Sequence, residues 1–335
     1  MSYIVVPPGL EGVVVCETSL SEIDGNRGLL TYRGIPIQQV VVQYHWETLI
    51  PWLATGCNVT PIPPVKVSTG RPSNLEMAPL AILAEEVLHS PWSPDLDVSE
   101  YISRLPLNLA ARRGLGEDPA SGSVAFRYLS LVREKPPTPI EAEALDTYWV
   151  IAAEHSLNAS TFAVRISAST GASLPMALVS GIGVLSGPLH GGAPTGVLNL
   201  LKEAAAAPDI RRVLIDKLNH GERLMGFGHR VYRTMDPRAD ALRTVFRRLA
   251  PDHDMVRLAL AVETTALELL RSWKPNRVLA TNVEFYAGAL LYALDIPDSW
   301  CPATFACGRL AGWTAHYMEQ RAKGRLIRPL ARYHT

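Results

Sequence analysis

Charge of one sign is the first thing this chain lacks. Its 32 Lys and Arg are matched by 32 Asp and Glu, for a formal net charge of +0. A nucleic-acid surface asks for a clear basic excess, so no nucleic-acid partner is expected, and any anionic ligand has to be met by local arginines. Cysteine is scarce. Cys16, Cys57, Cys301 and Cys307 form no C-x-x-C pair and no zinc spacing. They read as free thiols of a reducing cytoplasm, with no metal site. No G-x-G-x-x-G or P-loop follows a strand, so the usual nucleotide folds lack support. No internal repeat is visible. The opening "MSYIVVPPGLEG" has no basic region followed by an apolar one, so no signal peptide is expected. From Ile166 to Leu201 there is no Asp, Glu, Lys or Arg. Pro175, Pro188 and Pro194 break that stretch, whereas a membrane-spanning helix needs about 20 mostly apolar residues. It reads as two buried helices and a loop, with no membrane partner.

The 335 residues are 47% hydrophobic, enough for a large core, and the length favours about two domains. Near the start, "CETSLSEIDGNRGLLTYRG" has two β-like runs around a turn signal and predicts a small hairpin. Residues 59–75 are rich in Pro and Ser and read as a loop. "HSPWSPDLD" and "EDPASGS" are further breaks. Helical signals then dominate. Thr138, Pro139 and Glu141 form a capping-box pattern. Asp236 and Pro237 repeat the device, and Leu242, Val245, Phe246 and Leu249 follow on one face at helical spacing. "DMVRLALAVETTALELLRSW" and "PATFACGRLAGWTAHYMEQRAKG" predict two more helices, the second ending at Gly324. The fold class that follows is all-α, many packed helices with a small N-terminal β-hairpin.

Four features place polar groups where a plain helical core would not want them. In "LSGPLHGGAPTG", His190 sits at the joint of two uncharged helices, either as a satisfied structural histidine or as a reactive one. In "LMGFGHRVYRTMDPR", Gly226 and Gly228 bracket Phe227, and His229, Arg230, Arg233 and Arg238 follow. Arg238 falls in the first turn of a helix, where backbone N–H groups already favour anions; the bland reading is a solvated basic loop. "VLATNVEFYAGALLYAL" holds one charge, Glu284, which Thr281 or Asn282 would place in a first helical turn. The macrodipole there favours its ionised form, and burial opposes it. Arg309, between Phe305 and Trp313 at four-residue spacing, is either buried with an anion or snorkels outward. Two histidines, a carboxylate and several arginines suit proton abstraction beside a carbonyl in a polyanionic substrate.

The chain resembles the citrate synthase family. The likeness runs through "GLEGVVVCETSLSEIDGNRGLLTYRG", "HSLNASTFAVRISAST", "GPLHGGAPTGV", "MGFGHRVYRTMDPRA", "NVEFYAG" and "RLAGWTAHYMEQRAKGRLIRP". It implies a two-domain helical fold, with residues 1–189 and 291–335 in a large domain and 190–290 in a small one that closes over substrate. It also implies a homodimer. In roles, it implies His190, His229 and Glu284 as catalytic groups, with Glu284 the base. His155, Arg238 and Arg309 would bind oxaloacetate, with Arg328 reaching into the partner's site. Arg233, Arg277, Gly226 and Gly228 would lie near CoA. No permanently bound cofactor and no metal is implied; acetyl-CoA and CoA are substrate and product.

Two departures stand out. The family's base is an aspartate. One added methylene moves a carboxylate by about 1.5 Å, and a misplacement of about 1 Å can cost roughly 10²-fold in rate. The segment between Tyr32 and Arg133 is also shorter than in most of the family. The expected reaction is condensation of an acyl-CoA, foremost acetyl-CoA, with oxaloacetate. The alternatives are 2-methylcitrate formation from propionyl-CoA, or an oxaloacetate-binding protein impaired at Glu284.

Overall fold

A computed structural model describes residues 7–57, 67, 77–94, 96–112, 116–133, 135–191, 193–229, 231–249, 253–277, 279–331 and 333. The predicted hairpin is there. Strands β1 (Ser21–Asp24) and β2 (Leu29–Tyr32) pair antiparallel, Ser21 opposite Tyr32. The turn closes because the Asp24 carboxylate accepts from the backbone N–H groups of Asn26 and Arg27, each at 3.0 Å. A third strand, β3 (Ile35–Pro36), adds to β2 and was not foreseen; two residues carry no periodicity. Nearly all of the predicted loop over 59–75 lies outside the described residues.

Helices make up almost all the rest. Five of them, α1 (Ile37–Gln43), α2 (Trp46–Thr55), α3 (Pro79–His89), α4 (Val98–Ala111) and α5 (Val124–Val132), lie in the segment between Tyr32 and Arg133. The "HSPWSPDLD" and "EDPASGS" breaks fall between α3 and α4 and between α4 and α5. α6 (Pro139–Ala153) opens with the predicted capping box: Glu141 N–H donates to Thr138 Oγ1, and Thr138 N–H donates to Glu141 Oε2 at 2.6 Å. α6 is buried on nearly every side, as a helix apolar around its circumference must be. It stops at Ala153, and an extended segment carries Glu154 and His155 before α7 (Ala159–Ser169) begins on its Asn158 cap.

The uncharged stretch becomes the end of α7, α8 (Leu174–Leu185), a loop, and the start of α9 (Ala193–Ala206). No described helix is long and apolar enough to cross a membrane. Then come α10 (Ile210–Asn219), α11 (Pro237–Phe246), α12 (Asp254–Trp273), α13 (Val283–Ala293) and α14 (Cys301–Lys323). α14 stops at its Gly324 cap. Leu242, Val245, Phe246 and Leu249 are all buried.

α14 is the axis of the molecule, packing on α2, α6, α7 and α8. It approaches α6 closely through glycines one turn apart. A Cβ on Gly308 would lie 2.8 Å from the Trp149 ring, and one on Gly312 only 1.9 Å from the Ala153 carbonyl oxygen. Trp46, Trp149, Trp300 and Trp313 are fully buried here. The Trp46 and Trp149 indole N–H groups donate to the Gly308 and Thr304 carbonyls of the same helix. α9, α10, α12 and α13 pack on one another, and α11 joins α13 to α6 and α1.

Candidate active site

Two loops carry the candidate groups, and a short backbone ladder joins them. Gly228 N–H donates to the Ala280 carbonyl at 2.7 Å, Asn282 N–H donates to the Gly226 carbonyl at 2.9 Å, and Phe227 bridges Thr281. Gly226 and Gly228 both have positive φ, +91° and +81°. The fit also leaves no room for side chains: a Cβ on Gly226 would sit 2.7 Å from the Phe285 Cβ. Asn282 caps α13 by accepting from Glu284 and Phe285 N–H, while its amide donates to the Gly228 carbonyl. The cap is therefore Asn282, and Glu284 stands in the first turn beyond it. The hairpin braces the other side, because Arg233 N–H donates to the Gly25 carbonyl.

His229 is held through Nδ1, which accepts from the backbone N–H groups of Val231 (2.9 Å) and Tyr232 (3.1 Å). The ring proton thus falls on Nε2, which faces Arg238 Nη2 at 3.1 Å. Arg238 is fixed by Asp236, the α11 cap, whose carboxylate takes its Nε and Nη2 at 3.1 and 2.9 Å. Asp236 also accepts from Val283 N–H, which ties α13 to the same corner. His155 completes the cluster: Nε2 lies 3.1 Å from the Tyr232 hydroxyl, and its ring is 6.0 Å from that of His229.

His190 lies in the turn after α8. Its Nε2 is 2.7 Å from Ser160 Oγ, which accepts from the Trp313 indole and donates to Asn158 Oδ1. It shares the Phe305 ring with Arg309: the histidine packs edge-on at 6.4 Å, and the guanidinium lies 5.3 Å from the ring centre. Arg309 is 4% exposed, which overturns the outward-snorkelling alternative. Neighbouring helices close over the aromatic face that a lone helix would have left to water. Its Nε and Nη1 are buried without a hydrogen-bond partner.

Burial and cations govern the protonation of the site. Burial, with Arg309 adding to it, lowers His190 to about 4. Burial also brings His229 to about 4; Arg238 adds to the fall and Asp236 opposes it. His155 is driven well below the ordinary histidine value by burial, then by Arg238, Arg309 and His229. All three rings are neutral at neutral pH. Burial raises Glu284, Asp236 adds to the rise, and Arg238 and Arg309 restrain it.

His155 thus stands in the field of His229, Arg238 and Arg309, Glu284 in that of Arg238 and Arg309, and His190 in that of Arg309. Arg233, Arg277, Gly226 and Gly228 line a neighbouring groove of about 790 Å³ that also reaches His229. Arg328 stands apart and exposed, on the segment after α14. Sequence reading passed over Ser160, Tyr232 and the second duty of Asp236 as the clamp on Arg238. Only the Asp-Pro-Arg cap pattern offered a local signal for any of them. Among the described residues no group of His, Cys, Asp and Glu could hold a metal ion.

Comparison with known proteins supplies a family. The model described as "Citrate synthase, C-terminal domain" matches residues 9–61 and 83–330. A Mycobacterium tuberculosis protein named "Putative citrate synthase 2" is 40% identical over 97% of this chain and 92% of its own. A 2-methylcitrate synthase of Shewanella oneidensis is 36% identical over 63% of this chain and 55% of its own. Among solved structures, the citrate synthase of Thermoplasma acidophilum in ternary complex with carboxymethyl coenzyme A and oxaloacetate matches with a TM-score of 0.81. That match has 25% identity and covers 98% of this chain and 96% of that one.

Proposed function

This chain belongs to the citrate synthase family, and we propose that it condenses an acyl-CoA, foremost acetyl-CoA, with oxaloacetate to release citrate and free CoA. One observation carries the reading. Arg309 is a fully buried cation with two unpartnered N–H groups, beside neutral histidines and a second clamped arginine. Leaving such donors unpaired costs about 1–3 kcal/mol each or more, and a substrate carboxylate would meet them in paired fashion.

The chemistry follows from protonation. Glu284, its pKa raised by burial, removes a proton from the carbon next to the thioester carbonyl. Neutral His190 donates to the enol oxygen from Nδ1 once Ser160 turns its proton from Asn158 Oδ1 to Nε2. His229 Nε2–H and Arg238 Nη2 are two donors 3.1 Å apart. A ketone or carboxylate oxygen between them would relieve that contact and be polarised for attack. His155, neutral and oriented by Tyr232, adds a third donor or acceptor to oxaloacetate. Water then cleaves the thioester. The arginines and histidines supply the electrostatics, so the reading calls for no metal and no resident cofactor.

Arg233 and Arg277 would take the CoA phosphates, with Gly226 and Gly228 allowing close approach. Residues 190–290 would act as a small domain closing on 1–189 and 291–335. The exposed Arg328 would complete the site of a second subunit in a homodimer. Mixed dimers of Arg328→Ala and Glu284→Gln subunits should then regain activity, and no recovery would place Arg328 elsewhere. The free thiols fit a cytoplasmic enzyme.

The test is release of CoA by purified protein from acetyl-CoA and oxaloacetate. Silence with acetyl-, propionyl- and longer acyl-CoA would overturn the reading. The S. oneidensis relative supports propionyl-CoA as a second donor. One methylene is worth only about 1–3 kcal/mol in a pocket, so a side-by-side kcat/KM comparison decides between the two.

A further inference from the structure

Tyr148 is the buried polar group that the proposed reaction leaves without a role. It lies on α6 and is 2% exposed, yet its hydroxyl has no hydrogen-bond partner. An orphaned phenol is costly to bury. In a helix whose other end is closed by a complete capping box, such a group asks for an explanation.

Its neighbours supply one. α6 packs on both α13 and α14. The next residue, Trp149, donates to the Thr304 carbonyl and faces Gly308. The phenol stands in the field of Glu284 from α13, and of Cys301 and Arg309 from α14. Glu284 in turn faces Arg238 and Asp236 from α11 and its cap, and Arg309 from α14. Among the described residues the Glu284 carboxylate has no hydrogen bond. Arg309 can only donate, and the Cys301 thiol is a weak acceptor already turned to the Pro297 carbonyl. The phenol O–H therefore has one charged acceptor available.

We infer that Tyr148 is a positioning residue for Glu284: a turn of the glutamate arm lets the hydroxyl, unpartnered as the side chains stand, donate to the carboxylate and fix that arm toward the acyl group. The inference rests on Glu284 as the base. A hydrogen bond to the ionised form favours that form, so Tyr148 counters the rise that burial imposes on Glu284. An aspartate at 284, shorter by about 1.5 Å, would sit back from the phenol. The tyrosine and the glutamate form a matched pair.

Tyr148→Phe tests this. Loss of one net hydrogen bond is offset by removal of a buried polar group, so the melting temperature of the ligand-free protein should stay nearly unchanged. The expected kcat for CoA release falls roughly tenfold, about one net hydrogen bond. The acidic limb of kcat/KM moves to higher pH, and the KM for oxaloacetate stays put. A second readout does not need turnover: the Glu284 carboxyl pKa, from infrared difference spectra between each protein and its Glu284→Gln counterpart. It should rise in Tyr148→Phe. An inactive wild type would overturn the proposed function and leave this readout standing. An unchanged Glu284 pKa overturns the inference. So does a raised oxaloacetate KM with a fixed acidic limb, which would assign Tyr148 to the keto acid beside Arg309. A lowered melting temperature with an unmoved pH profile would make it structural and overturn it as well.

Discussion

Two buried polar clusters lie two turns apart on α14, and they are built on opposite principles. Around His316 every charge is answered. Glu154 Oε2 is 3.0 Å from His316 Nε2, and its Oε1 accepts from the Ser21 hydroxyl at 2.7 Å. Arg165 meets His316 Nδ1, Glu319 and Gln320 at 2.8, 2.7 and 3.1 Å. Burial works to raise Glu154, and His316, Arg309 and Ser21 outweigh it and hold it ionised. Around Arg309 the opposite holds: two of its nitrogens and the Tyr148 hydroxyl are buried without partners, and Glu284 stays raised. A satisfied network rigidifies, and an unsatisfied one in the same core is stability set aside for a ligand. The satisfied cluster also serves the other, because Glu154 immediately precedes His155 and Tyr32 pins its backbone at 2.7 Å.

Substitutions on the two sides should separate activity from stability. The largest effect is expected from Glu284→Gln. Loss of the general base should lower CoA release by about 10³-fold, within the usual 10²–10⁴ range, while calorimetry shows an equal or higher melting temperature. Glu284→Asp should cost roughly 10²-fold in kcat, because the carboxylate is withdrawn by about 1 Å or more. A gain in rate would mean that the site is not fitted to glutamate.

On the satisfied side, Glu154→Ala should cost about 3 kcal/mol in urea unfolding, as expected when one member of a buried charged set is removed. Gly312→Ala should cost about 2 kcal/mol by overpacking against the Ala153 carbonyl.

The smallest effect is on acid stability. His190 and His229 lie near 4 in the folded protein, below the ordinary unfolded value of about 6.5. Between those values the unfolded chain binds more protons, so stability falls as pH drops through that window and levels off near 4. Glu284 runs the other way, since its raised pKa makes the folded form hold its proton longer. His229→Asn should flatten the acid-side loss in denaturation curves taken from pH 7 to 4. An unchanged slope would show that the ring is not held neutral.

Much of this was legible locally. The caps at Thr138, Asp236 and Asn282 are read within four residues, because the chemistry of a helix start involves only its own first turn. The "GFGH" and "TNVE" stretches marked themselves by glycine and by a solitary charge. The burial of Arg309, the pairing of His190 with Ser160 and the orphaned hydroxyl of Tyr148 were not legible. Each depends on what another helix brings from elsewhere in the chain, 30 residues away in the case of Ser160 and His190.

By itself, then, the sequence determined a helical chain with a hairpin at its start, and the set of histidines, arginines and one glutamate proposed to enolise a thioester. Capping and amphipathic spacing are short-range effects written into neighbouring residues. Tertiary structure alone decided which polar groups were desolvated together and which were left unpartnered. The cost of a buried charge depends on its surroundings in space, and those are set by how α6, α11, α13 and α14 pack.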